Sequence, residues 1–183
     1  VDSLSIVREV PNYPIKWWRS WDKAGTEDDG AYTVGVLIGR YAVSNGDARK
    51  HFKYIIADVE RGQWSSGNRE KVIKKTAEDD GRGVKVVIEQ EPGSGGKESA
   101  ESTVRNLRGF KVETIRPTGD KVDRADPLSV AVENGDVSLL EGEWNKPFVN
   151  ELRMFPKGTY KDQVDSASQG FNMFPAMMRH NIG

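Results

Sequence analysis

The chain has 183 residues, 30% of them charged, and a formal net charge of −1 from 27 lysines and arginines against 28 aspartates and glutamates. That length suits one domain with a real core; the balance gives no global argument for a polyanionic partner, and no run approaches the ~18 apolar residues of a membrane helix. The absence of cysteine excludes disulfides and thiolate metal sites and suits a reducing compartment, so that any cation must be held by oxygen or by one of two histidines, His51 and His180, which lack ligand spacing.

The N-terminal VDSLSIVREVPNYP lacks the basic flank and apolar stretch of a targeting segment, so a soluble chain is expected. KWWRSWD, residues 16–22, alternates and ends on Asp22, which predicts a strand whose last residue emerges at a sheet edge. Its tryptophans, Trp17, Trp18 and Trp21, read as packing. AGTEDDG breaks the pattern, with Asp28 and Asp29 as loop solvation. AYTVGVLIGR (31–40) is rich in β-formers, and SNGD at 44–47 signals a turn into HFKYIIADVE (51–60), completing an antiparallel meander. SSGNREKVIKKTAEDDG (65–81) carries Val72, Ile73, Thr76 and Ala77 at helical spacing and closes on Gly81. VKVVIEQE (84–91) is apolar enough for a buried parallel strand. KESAESTVRNLRG (97–109) predicts a helix, FKVETIR (110–116) a fifth strand and RADPLSVAVENG (124–135) a helix. VSLLEG (137–142) is a short strand or turn and NKPFVNELRMF (145–155) a helix. DQVDSASQGFNMF (162–174) opens a last helix with Asp162 in its first turn, where the dipole favours an acid. Antiparallel strands followed by alternating helices and strands predict one α/β domain with a central mixed sheet.

EPGSGGKES (91–99) invites comparison with a phosphate-binding loop. That motif needs a glycine five residues before the second glycine and a hydroxyl after the lysine; Glu91 and Glu98 occupy those places. The glycines therefore turn the chain, and the acids before them carry the interest. If strands 16–22 and 84–91 are neighbours, Asp22 and Glu89 converge at one edge, and a helix across it brings Asp162 to the same point. A carboxylate closing the apolar run VVI is costly unless paired or coordinated. The strand period of two puts Glu91 on the face of Glu89 and makes it a second candidate. Asp165 shares the helix face of Asp162, and Asp162 alone also suits a helix cap. Carboxylates this crowded repel and raise one another's pKa unless a cation joins them. Two Mg²⁺ or Mn²⁺ ions about 3.5–4 Å apart would do so and would clamp the attacking and leaving oxygens of a phosphodiester. Between residues 104 and 124 six bases (Arg105, Arg108, Lys111, Arg116, Lys121, Arg124) outnumber three acids (Glu113, Asp120, Asp123). A basic patch beside an acidic one suits a metal-dependent enzyme acting on a polyanion, as well as a plain solvated surface.

The order of these motifs resembles the C-terminal nuclease domain of the large terminase subunit of tailed phages, the DNA-packaging motor protein. The resemblance runs over about residues 16–175 and is most specific in VIEQEPGSGGKE, RPTGDKVDRADP, EWNKPFVNEL and FPKGTYKDQVDSAS. It implies a ribonuclease H-like fold, related to Holliday-junction resolvases and integrases, and a metal-dependent endonuclease that cuts concatemeric viral DNA with little sequence preference. Asp22, Glu89 and Asp162 match the family's catalytic acids, which would hold two Mg²⁺ or Mn²⁺ ions, with Asp165 as the later acid of the last motif and Glu91 a further candidate ligand. Lys97, Arg116, Lys121, Arg124 and Lys161 are candidates for the DNA backbone. The family's H-D-D start is Tyr160-Lys161-Asp162 here, so Lys161 stands in place of one family acid. Family members carry an upstream ATPase domain with Walker motifs that residues 1–183 lack. The expectation is a nuclease domain excised from a longer viral chain and acting on double-stranded DNA in the host cytoplasm, away from any membrane. Its expected partners are the portal protein, the small terminase subunit and its own ATPase domain. Two alternatives stay open: a resolvase or transposase-type nuclease of the same fold, and a non-catalytic module docking on the portal or motor.

Overall fold

The computed structural model describes residues 1–24, 31–44 and 50–178. Asp28, Asp29, His180 and most of the SNGD turn lie outside the described residues. The elements in chain order are β1 (Ser5–Val7), β2 (Lys16–Asp22), β3 (Thr33–Ser44), β4 (Lys50–Gly62), α1 (Ser66–Asp80), β5 (Lys85–Glu89) and α2 (Ser94–Asn106), followed by β6 (Val112–Ile115), α3 (Lys121–Glu133), β7 (Val137–Leu140), α4 (Asn145–Met154) and α5 (Asp162–Met178). No described helix is long and apolar enough to cross a membrane.

The seven strands form one mixed sheet in the order β1-β7-β4-β3-β2-β5-β6. β2, β3 and β4 make the expected antiparallel meander, whereas β5 runs parallel to β2 and β6 parallel to β5. VSLL, ambiguous in the sequence, is a true strand, seated between β4 and β1 and parallel to both. β1 has no counterpart among the sequence expectations, because three residues in SIV offer no periodicity to read. Two helices begin three residues before their expected starts. α3 starts at Lys121 because Asp120 caps it, accepting from Asp123 N at 2.8 Å. α2 starts at Ser94 after Gly93, whose φ of 92° lies where a side chain would be strained.

β2 divides the core. Alternate residues face opposite layers, so Trp21 joins Ile73, Ala77, Val86, Ile88 and Leu107 under α1 and α2. Trp18 instead packs with Val87, Leu128, Phe148, Ala167 and Phe174 under α3, α4 and α5. Trp18 and Trp21 are buried, as their reading as packing residues required, whereas Trp17 is only half-buried, lying against Gly39. On the second layer α5 lies very close to the sheet. A Cβ at Gly170 would come within 2.9 Å of Ile38 and 3.0 Å of Ser20. One turn earlier, Ser166 Oγ donates to Ser20 O at 2.6 Å and to Val34 O at 3.2 Å. Small residues at 166, 167 and 170 therefore set the distance at which α5 crosses β2 and β3, and with it the position of the acids in its first turn.

Candidate active site

Asp22 ends β2 and Glu89 ends β5, and the register that pairs Trp21 with Ile88 places these two acids side by side one residue further on. By alternation both belong to the α5 face, since Trp21 and Ile88 pack on the other. α5 crosses above them and supplies Asp162 and Asp165 from its first turn. Asp22, Asp162 and Asp165 each offer an oxygen within 4.8 Å of the others. Glu89 stands outside that tightest group but exerts the largest single-charge effect on Asp22.

Asp162 does not cap its own helix. Glu151, from α4, does so instead: its Oε1 accepts from Gln163 N at 2.7 Å and from Val164 N at 3.0 Å, while its Oε2 accepts from Gln163 Nε2 at 2.7 Å. The Asp162 carboxylate is left for the cluster, and its Oδ2 accepts from Tyr32 N at 3.2 Å. Sequence reasoning missed Glu151. Its signal was an acid at i+3 from Phe148 within NKPFVNELRMF, on the face that turns inward, where both residues are buried.

The electrostatics are those of an anionic surplus. Burial pushes the Asp22 carboxyl well above the usual carboxylate range, and the charges of Glu89, Asp165 and Asp162 push it further. Burial also raises Glu89, against the opposing pull of Arg124. Asp165 is raised by burial although Lys121 Nζ donates to its Oδ2 at 2.5 Å. Burial is the largest single influence on Lys121 and disfavours its charge, yet the bond to Asp165 together with the charges of Asp165, Asp22 and Asp162 holds the ammonium above its ordinary pKa.

The remaining candidates fall around this cluster. Glu91 does not share the strand geometry expected of it: β5 ends at Glu89, and Glu91 stands in the turn, where the period of two no longer applies. The turn is tight, since a Cβ at Gly96 would meet Glu91 O at 2.1 Å. Glu91 instead lines, with Asp22, Glu89, Lys23, Arg69 and Ser99, a cavity of about 360 Å³ on the α1/α2 side. Lys23 and Arg69, also unforeseen, are held structurally there. Lys23 Nζ donates to Ser99 Oγ at 2.8 Å and Thr103 Oγ1 at 2.9 Å, and Arg69 Nη1 to Ala24 O at 2.9 Å. Lys97 and Arg116 line a neighbouring cavity with Glu91. Arg116 and Arg124 line a third with Glu89 and Asp165. Lys161 precedes α5, its carbonyl accepting from Asp165 N.

The family model described as the terminase RNaseH-like domain matches residues 19–174. No curated protein matches the chain. Among solved structures, the large terminase nuclease of thermophilic phage G20c with bound zinc is 18% identical with a TM-score of 0.63, covering 93% of this chain and 94% of that one. The manganese-soaked, inhibitor-bound terminase nuclease domain of human cytomegalovirus is 10% identical with a TM-score of 0.60, covering 87% and 82%. The fowlpox virus resolvase in complex with Holliday junction DNA is 12% identical with a TM-score of 0.52, covering 88% and 98%. The match spans β2 through most of α5, the elements that carry every acid of the cluster, and the chain belongs to the terminase ribonuclease H-like domain family.

Proposed function

We propose that this chain is a divalent-metal-dependent DNA endonuclease of viral genome packaging, the nuclease part of a terminase large subunit. The observation that carries this reading is the convergence of Asp22, Asp162 and Asp165, with oxygens within 4.8 Å, beside Glu89. Among the described residues only one ammonium, that of Lys121, makes a salt bridge to this group. An all-oxygen donor set with surplus negative charge fits hard cations such as Mg²⁺ or Mn²⁺. Asp22, Glu89 and Asp162 would hold one ion and Asp165 would share in a second. Bound there, the ions would supply Lewis-acid charge to the phosphodiester and lower the pKa of water.

The residues do the rest. Glu151 and the close packing at Ser166 and Gly170 fix the two α5 acids against the sheet. Arg116 and Arg124, on the cavity beside Glu89, suit phosphate oxygens, and Lys97 extends that basic line along α2. Such contacts position a duplex without reading bases, so cleavage with little sequence preference follows. A longer polypeptide carrying an ATPase domain, with the portal protein and small terminase subunit as partners in the host cytoplasm, belongs to the same proposal.

The test is cleavage of linear plasmid by the 183-residue chain with Mn²⁺ or Mg²⁺, over a salt series, with and without a non-hydrolysable ATP analogue. Cleavage should need the divalent ion and ignore the nucleotide. With three to five phosphates contacted, the logarithm of binding should fall against log salt with a slope of about −3 to −4.5. Undiminished cleavage in EDTA, or no cleavage with either ion, defeats the proposal. A strong preference for a four-way junction over linear duplex moves the chain to the resolvase reading.

A further inference from the structure

Lys121 belongs by sequence with the DNA-backbone candidates, yet its ammonium lies on Asp165. The backbone at its root is pinned. Asp120 caps α3 immediately before it, and Arg124 Nη1 donates back to Gly119 O at 2.7 Å. The side chain is not pinned in the same way, for it is 53% exposed, whereas that of Asp165 is 7% exposed. A half-exposed ammonium is resolvated at little cost when it swings out. Seated together on one covered carboxylate, an ammonium and a divalent ion repel each other at a few ångströms. Asp165 is also one of the three acids whose oxygens gather within 4.8 Å, and among the described residues no lysine or arginine forms a salt bridge with the other two.

Resting on the reading of this cluster as a divalent-metal site, we propose that Lys121 is its resident counter-ion, holding the place of one cation at Asp165 so that the second divalent ion enters only as the lysine leaves. Asp22, Asp162 and Glu89 can receive the first ion with Lys121 still seated. The two affinities are therefore unequal, and the weaker is set by how often the lysine is away. If Lys121 is seated nine-tenths of the time, its removal tightens the weaker site about tenfold, because apparent affinity scales with the fraction of competent protein.

Calorimetric titration of the whole chain with Mn²⁺, without DNA, tests this in the wild type, Lys121→Gln, Asp165→Asn and the double variant. The wild type should bind two ions unequally, and Lys121→Gln should tighten the weaker by about tenfold while leaving the stronger nearly unchanged. In the Asp165→Asn background the same lysine substitution should change nothing. An unchanged weak site in Lys121→Gln overturns the inference. A tightening that survives in Asp165→Asn also overturns it, since the lysine would then act as diffuse positive charge and not through its contact. A wild type that binds no Mn²⁺ removes the metal reading as well, whereas two ions with no lysine effect removes this inference alone.

Discussion

Arg19 and Asp22 lie three residues apart on β2, on opposite faces of the sheet, and their charges meet opposite surroundings. Arg19 is buried at 2% exposure and fully answered from within. Its Nε and Nη2 donate to Asp80 at 2.8 and 2.7 Å, and its Nη1 to Asp58 at 2.8 Å and Gly35 O at 3.1 Å. One cation there meets two anions that arrive from β4 and α1. Asp22 meets Glu89, Asp162 and Asp165, all of its own sign; among the described residues Lys121 alone makes a salt bridge to this group, and Arg124 acts on Glu89 and Asp165 from a distance. The first cluster is closed and holds the helix α1 to the sheet. The second is left with surplus negative charge, which a bound cation or protonation of Asp22 would relieve.

Substitutions on the two sides should therefore separate activity from stability. The largest effect expected is on cleavage: Asp22→Asn, Glu89→Gln and Asp162→Asn should each reduce it to background in the plasmid assay, and any one that cleaves normally leaves the site. Stability should move the other way. Because the folded pKa of Asp22 is raised, the native state binds more protons than the unfolded chain at pH values between the ordinary carboxylate range and that raised value. Its contribution to stability is lost as pH rises through this window, and the aspartate is a net burden at neutral pH without metal. Ion-free Asp22→Asn should accordingly melt at or above the wild-type temperature, by roughly 2–4 °C for each 1 kcal/mol relieved. A clear drop would mean the cluster is already neutralised.

Arg19→Met should do the reverse. Removing the cation strands Asp80 and Asp58 in a part-buried site, at a cost of about 3–5 kcal/mol in denaturant unfolding. Calorimetric Mn²⁺ affinity of the folded fraction should be unchanged. A loss below about 1 kcal/mol would place this network with weak surface pairs.

Smaller effects sharpen the boundary of the open cluster. Glu151→Gln turns one acceptor of the α5 cap into a donor facing Gln163 Nε2. It should cost about 1–2 kcal/mol in thermal unfolding, and lower cleavage about tenfold through the displaced Asp162. Full activity at reduced stability would confine Glu151 to the fold. Glu91→Gln, in the turn beyond β5, should keep more plasmid cleavage than Glu89→Gln. The opposite ranking would put the ion over the α1/α2 cavity that Glu91 lines.

Much of this was legible in the chain. The alternation of KWWRSWD and the apolar run VVI located two acids at strand ends, and helical spacing after Asp162 located two more, because periodicity is a property of neighbours in sequence. Glu91 shows the limit. Its spacing from Glu89 was read correctly, but β5 ends at Glu89 and the chain is already turning towards Pro92 and Gly93, so spacing ceased to mean a shared face.

What sequence alone determined is the supply of groups: strands, helices, carboxylates and bases, and a family pattern over residues 19–174. Tertiary structure decided their company. VSLL became an interior strand because β1 and β4 each offered it an edge. Asp162 was freed because Glu151, eleven positions earlier, took over the cap. Lys121 was turned inward because Asp165, 44 residues away, presented an uncompensated charge within reach. Pairings of this kind depend on how closely α5 can approach β2 and β3, which Ser166 and Gly170 set by steric contact with Ser20 and Ile38. Local propensity carries no record of such distances, since they exist only once the layers have packed.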